Sequence, residues 1–401
     1  MRLRFNLALV TLSVLGCATT SWAATGRTAG QFMVTPTGSA QYSIPIWAPP
    51  GPRGIQPNLA LVYNSQSGIG PLGIGWQVSG LGAITRCNKT YAQDTAPAAI
   101  GLVTSDGYCL NGNRLRLTAG TYGAANSTYQ TEIADFSNVT ANGSAGSNGP
   151  ASFTVQGRDG LTYEYGFVDT NGNGANSQVL ATGTAIADTW LLSKVIDRSG
   201  NNLVINYTAL SGTAVPDTIM WTPTAAGAST YAYQMQFNYT TNVPQSSVTA
   251  YIGGTSVTSN KLLSSISISN AGTVVKDYFL GYQASPTTGR EELTSVKECA
   301  DSAQSNCLSP TTIGYQSGTA GVSTTSNTAL SSSGPGLTAR YDLNGDGIPD
   351  LVYNNGTTWY VAFGSRTGGY GTPIAISPGV VLIGNVTGGR QDGILTVVSG
   401  T

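Results

Sequence analysis

The chain has no histidine in its 401 residues. That absence removes Ser-His-Asp and Cys-His catalysis, together with every histidine-ligated metal centre. Charge is also scarce. Only 9% of residues are charged, the formal net charge is −1 and there is no basic run, so the electrostatic footprint for nucleic acid or an anionic membrane surface is missing. Past the first two dozen residues, no stretch is apolar enough and long enough to span a bilayer. No segment carries the 3.6-residue period of an amphipathic helix either. Carboxylate-pair chemistry survives these exclusions, because it needs only two Asp or Glu.

What the chain does have is 52 glycines and 20 tyrosines amid many Ser, Thr and Asn. That composition predicts an all-β protein of strands and tight turns, long enough for two domains. Turn signals split the strand-like runs: Asn111-Gly112, Arg158-Asp159-Gly160, Asp197 to Asn201 and Asn270-Ala271-Gly272. Residues 140–150 read as a polar surface loop, and Ser317–Gly336 as a linker. Asp169-Thr170-Asn171-Gly172-Asn173-Gly174 reads as a polar turn.

Residues 1–23 form an export signal, with Arg2 and Arg4 before the apolar run Phe5 to Leu15 and small residues at Ser21 and Ala23. A competing reading takes Val14-Leu15-Gly16-Cys17 as a lipobox, with a lipid anchor on Cys17 and an outer-membrane location. Either reading takes the chain out of the cytoplasm. Four cysteines remain, and an even count in an exported chain favours disulfides. Of three possible connectivities we expect nearest neighbours to join, Cys87 to Cys109 and Cys299 to Cys307. Neither pair has the spacing of a zinc knuckle.

The most pointed motif is Asp342-Leu343-Asn344-Gly345-Asp346-Gly347-Ile348-Pro349-Asp350. Oxygen-bearing side chains at alternating positions suit a hard cation. Asp342, Asn344, Asp346 and Asp350, with the Ile348 carbonyl, make a predicted Ca²⁺ ligand set. The plainer reading is an Asn-Gly/Asp-Gly turn with solvated carboxylates. Strand-like residues Leu351-Val352-Tyr353 and Trp359 to Phe363 follow, where an EF-hand would need helices. The unit resembles the FG-GAP/VCBS repeat of integrin-like β-propellers. A degraded second copy runs from Asn385 to Leu395, with Gly389 in place of Asp346 and Asp392 out of register, so little or no metal is expected there.

Nearer the N-terminus, Ala40 to Ile46, Pro49-Pro50-Gly51-Pro52, Gln56 to Ser65 and Gly70-Pro71-Leu72-Gly73-Ile74-Gly75-Trp76 alternate strands with proline- and glycine-stiffened turns. Pro45 inside a strand implies an edge or a bulge, and the glycines before Trp76 imply close packing of backbone on a ring. These residues resemble the N-terminal domain of the SpvB family, shared with the B component of insecticidal Tc toxin complexes and with Rhs-type secreted proteins. The resemblance implies an SpvB-like β domain over 24–320, a linker over 321–336 and an incomplete propeller over 337–401, whose open edge would need a partner or further sequence. It also implies a non-enzymatic scaffold or delivery role, with toxin-complex or Rhs-type subunits as partners. The ADP-ribosyltransferase activity attached to the SpvB name needs an E-x-E element, and none occurs here. A Ca²⁺-dependent adhesion or ligand-binding module is the alternative function, and a secreted hydrolase built on paired carboxylates the second alternative.

Overall fold

The structure is a computed structural model; it describes residues 26–144, 148–225, 227–241, 248–316, 318, 338–376, 380–386, 388–389 and 391–396. The expected export signal with Cys17, and the expected linker over 321–336, lie outside the described residues. Two compact units divide the chain between Ala320 and Gly321.

Eight antiparallel strands of the first unit close into a barrel. In order they are Ala83–Cys87, Gly107–Leu110, Asn113–Ala119, Thr128–Thr131, Asn138–Asn142, Ser152–Gln156, Thr162–Tyr165 and Ala187–Ile196. The ring shuts because Ala187–Ile196 pairs with both the first and the seventh strand, setting Trp190 opposite Ile84 and Val195 opposite Tyr163. Period-two alternation decides which side chains enter. Val139 and Ala141 are buried while Asn138 and Thr140 are not. An eight-strand barrel is just wide enough for side chains to fill. Here the filling is aromatic: Phe153 meets Trp190 edge-on with centroids 5.0 Å apart, and Tyr108 meets Trp190 at 5.6 Å.

From the last barrel strand the sheet continues as a meander: Asn202–Leu210, Thr213–Pro223, Tyr231–Thr241, Lys261–Asn270, Thr273–Ala284, Glu291–Cys299 and Thr311–Thr312. Trp221, Met235, Ile266, Ile268 and Tyr278 are all buried in the core they share with Ile44, Leu61 and Trp76. Those last three belong to a four-stranded sheet ordered Gln31–Val34, Ala40–Ile46, Leu59–Asn64, Trp76–Ser79. The proline-rich turn is a joint between the two sheets. The Trp221 indole N–H donates to the Pro49 carbonyl at 3.0 Å, and the Trp47 backbone N–H donates to the Tyr278 hydroxyl at 3.0 Å. Pro45 pairs with Ala60 but lies past the end of Gln31–Val34, whose pairing stops at Ser43. It therefore sits at a local edge, where its missing donor is tolerated. Gly75, at φ 78°, is the glycine that admits a ring. That ring is Tyr63 and not Trp76, because a Cβ on Gly75 would lie 2.4 Å from it.

In the second unit Thr338–Tyr341, Asp350–Asn354, Trp359–Ala362 and Ile374–Ile376 form a four-stranded antiparallel sheet in chain order, and Val380–Gly384 pairs with Gly393–Thr396. Leu351, Tyr353 and Ala362 form a small core of its own.

Candidate metal centre

The acidic nonapeptide is a tight loop between the first two strands of that sheet. It is wound around Asp342, whose Oδ1 accepts the backbone N–H of Gly345 (2.7 Å) and Asp346 (3.1 Å), and whose Oδ2 accepts that of Gly347 (2.8 Å). Gly345 and Gly347, at φ 79° and 81°, supply the left-handed backbone this winding requires. Asn344 Oδ1 accepts the Asp346 N–H, and its Nδ2 donates to Asp346 Oδ2 at 3.0 Å. The Ile348 N–H donates to Asp346 Oδ1. Asp350 opens the next strand, fully buried, and accepts N–H groups from Leu343 (2.8 Å) and Gly364 (2.9 Å).

The loop thus gathers Asp342, Asn344 and Asp346, while Asp350 braces it from below. The donors are all oxygen and three are carboxylates, which fits Ca²⁺ in type and charge. Each carboxylate oxygen carries two lone pairs, so bonds to loop amides leave capacity for a cation. The same amide bonds are those of a self-capped Asp-Gly turn. Among the described residues, no three acidic or cysteine side chains converge closely enough to hold a metal ion.

The turn between Val380–Gly384 and Gly393–Thr396 contributes something the sequence did not signal. Asp392 Oδ2 accepts the Asp342 N–H at 2.9 Å, and the Asp392 N–H donates to the Asp342 carbonyl at 2.7 Å. Beside it, Gln391 Nε2 donates to the Asn344 carbonyl at 2.8 Å. The out-of-register carboxylate is therefore a clasp on the first loop. Asn385 Oδ1 meanwhile accepts the Gly388 N–H of its own turn.

Other acids are spent on turns. Asp169 Oδ1 accepts the N–H groups of Asn171 and Asn173, and Asp197 Oδ1 does the same for Ser199 and Asn201. Burial raises the Asp169 pKa, but bonds from Asn173 and Asn171 outweigh it and hold the carboxyl below its ordinary range. The Asn201 side chain leads in lowering Asp197. Both disulfides form between nearest neighbours, Cys87 with Cys109 and Cys299 with Cys307. The first staples adjacent barrel strands.

A family model described as SpvB, Salmonella virulence plasmid 65kDa B protein, matches residues 34–96. No curated protein matches the sequence. Solved structures match by shape. A crystal structure of TcdB2-TccC3 without the hypervariable C-terminal region has a TM-score of 0.61 at 16% identity, covering 98% of this chain and 23% of that one. The Photorhabdus luminescens Tc holotoxin pore gives 0.58 at 16%, covering 94% and 21%. The N-terminal domain of effector protein SpvB from Salmonella typhimurium strain LT2 gives 0.52 at 17%, covering 65% and 99%. The chain shares their fold. It spans only 19–23% of the length of the Tc chains it matches.

Proposed function

We propose that the chain is an exported, non-enzymatic scaffold or delivery component of a toxin-like assembly, and that residues 337–401 are a calcium-braced blade region of the FG-GAP/VCBS kind. One observation carries the first part: a closed barrel runs unbroken into a long meander, in a fold shared with Tc toxin structures over nearly the whole chain. The role follows by analogy of fold. The barrel interior is filled by rings and carries a buried ion pair, Arg86 with Asp106, which suits a rigid wall better than a pocket for turnover. Partners in this reading are other toxin-complex or Rhs-type subunits, or further sequence of the same polypeptide. Residues 1–23 would direct export, and among the described residues no helix is long and apolar enough to cross a membrane.

The blade reading is supported by the four-stranded antiparallel sheet in chain order and by the loop at its head. Calcium, when bound, would supply fixed positive charge and no reactive chemistry. Asp342, Asn344 and Asp346 would hold it from the loop, and Asp350 from the strand below. Gln391 and Asp392 would transmit the stiffening to the second hairpin through their bonds to Asn344 and Asp342.

The scaffold reading is tested by co-expressing the full chain with the proteins encoded beside it, then capture and size exclusion. A stoichiometric complex that survives size exclusion is the expected result. A monodisperse monomer in the presence of each would overturn the reading.

A further inference from the structure

The four-stranded sheet carries an aromatic row that neither the barrel nor the metal loop uses. Register sets Phe32 opposite Tyr42, Tyr42 opposite Tyr63 and Tyr63 opposite Trp76, so one line of rings crosses all four strands. At its inner end the row opens into a groove of about 420 Å³, closed on the far side by Thr311, Thr312 and Tyr315. Tyr42 and Trp76 meet edge-on at 6.4 Å, and Tyr63 tilts against Trp76 at 5.6 Å. The Trp76 indole N–H donates to the Tyr315 hydroxyl at 3.0 Å, and that hydroxyl donates onward to the Leu293 carbonyl at 3.1 Å. This relay fixes the floor. Tyr42, Tyr63 and Tyr315 remain half-buried, and Phe32 at the outer end is 66% exposed.

Two features define what such a groove can hold. Its lining contains no charged side chain. Glu292, which acts electrostatically on Tyr315, is buried and engaged by Gln283. The hydroxyls of Tyr42, Tyr63 and Thr312 are not engaged with other described residues. Ring faces take up polarised C–H groups, and free hydroxyls exchange hydrogen bonds with hydroxyls, at little desolvation cost on either side.

We propose that the groove over buried Trp76, between Tyr42, Tyr63 and Tyr315, binds a neutral saccharide, with the half-buried tyrosine rings against its C–H surfaces and the Tyr63 and Thr312 hydroxyls on its hydroxyl groups. The row toward Phe32 extends the platform for further sugar units. The site belongs to the first unit and does not depend on the metal loop.

Saturation-transfer NMR and calorimetry on the full chain would test it. Maltose, lactose and N,N′-diacetylchitobiose serve as neutral probes, with a heparin disaccharide as the anionic control. At least one neutral probe should bind and the heparin disaccharide should not. Tyr63→Ala should weaken binding by about tenfold or more. Because that variant removes packing as well, Tyr63→Phe and Thr312→Val are paired with it. Each deletes only a hydroxyl or its equivalent, and each should weaken binding by about threefold with an unchanged melting temperature. Binding by none of the neutral probes, binding unaffected by Tyr63→Phe and Thr312→Val together, or tighter binding of the anionic sugar would each overturn the proposal.

Discussion

Arg86 carries a full charge into the barrel interior, where its side chain is 1% exposed. Its Nε donates to the Ala187 carbonyl at 2.8 Å, and its Nη1 to the Val103 carbonyl at 2.6 Å and to Asp106 Oδ2 at 3.1 Å; Nη2 reaches the Asn148 carbonyl. The guanidinium also lies 5.7 Å from the Tyr108 ring and 5.8 Å from that of Trp190. Removing one partner of such a pair strands the other charge. Arg86→Leu should therefore lower unfolding free energy by about 3–5 kcal/mol, and adding Asp106→Leu should recover part of the loss, as read by denaturant melts. Asp188 is the opposite case: it is 2% exposed, and neither carboxylate oxygen has a hydrogen bond of good geometry among the described residues. Desolvation pushes its pKa up to about 6, against weaker lowering by Thr189 and Arg86. The folded state then holds this proton more tightly than the unfolded chain. Ionising Asp188 costs stability, fully so above about pH 6, and the cost fades as pH falls toward the ordinary carboxylate value. Asp188→Asn should melt a few degrees higher than wild type at pH 8 and alike at pH 4. Neither residue was legible beforehand, since an Arg or Asp inside a strand reads the same whether it faces solvent or a sealed interior.

At the scale of elements, legibility follows sequence separation. The Asn111-Gly112 turn adopts φ 49° and 82° and joins Gly107–Leu110 to Asn113–Ala119. Ala271-Gly272 adopts φ 47° and 82° between Lys261–Asn270 and Thr273–Ala284. Turn chemistry is local, so these hairpins were readable, and so was the loop around Asp342. Barrel closure was not. It rests on Trp190 of the last barrel strand meeting Ile84 of the first, with the six other barrel strands between them in sequence, and no local pattern encodes that meeting. The Asp392 clasp eluded reading for the same reason, lying 50 residues from the amide it accepts. Among the described residues Gln31–Val34 pairs on one side only and exposes Phe32, Met33 and Val34 in succession, the kind of edge that invites strand addition. Met33 lies on the face opposite the aromatic row, by alternation from Phe32. Met33→Lys should reduce concentration-dependent self-association in analytical ultracentrifugation while leaving the melting temperature unchanged.

The molecule as a whole separates its stabilising devices between the two units. Both disulfides lie before residue 320, and the acidic loop lies after it. Each disulfide restricts the unfolded chain of the first unit, by about 2–4 kcal/mol in general and less for the shorter loop. A cation held by Asp342, Asp346 and Asp350 would act only where those residues fold, because ligand binding stabilises the state that forms the site. Scanning calorimetry should therefore resolve two transitions that respond to different reagents. Reductant should lower the one belonging to residues 1–320. Calcium at a hundred times its dissociation constant should raise the other by about 2.7 kcal/mol, and Mg²⁺, which demands a stricter octahedron, should raise it less. Asp346→Ala should abolish the calcium response without touching the reductant response, whereas Asp392→Ala should weaken it only partly, since it removes the side-chain acceptor of the Asp342 N–H but keeps the Asp392 N–H that donates to the Asp342 carbonyl. If calcium moves neither transition, the loop is a self-capped turn, its carboxylates satisfied by the amides of Gly345, Gly347, Leu343 and Gly364, and the second unit draws its order from the Leu351, Tyr353 and Ala362 core and the Asp392 clasp without a cation.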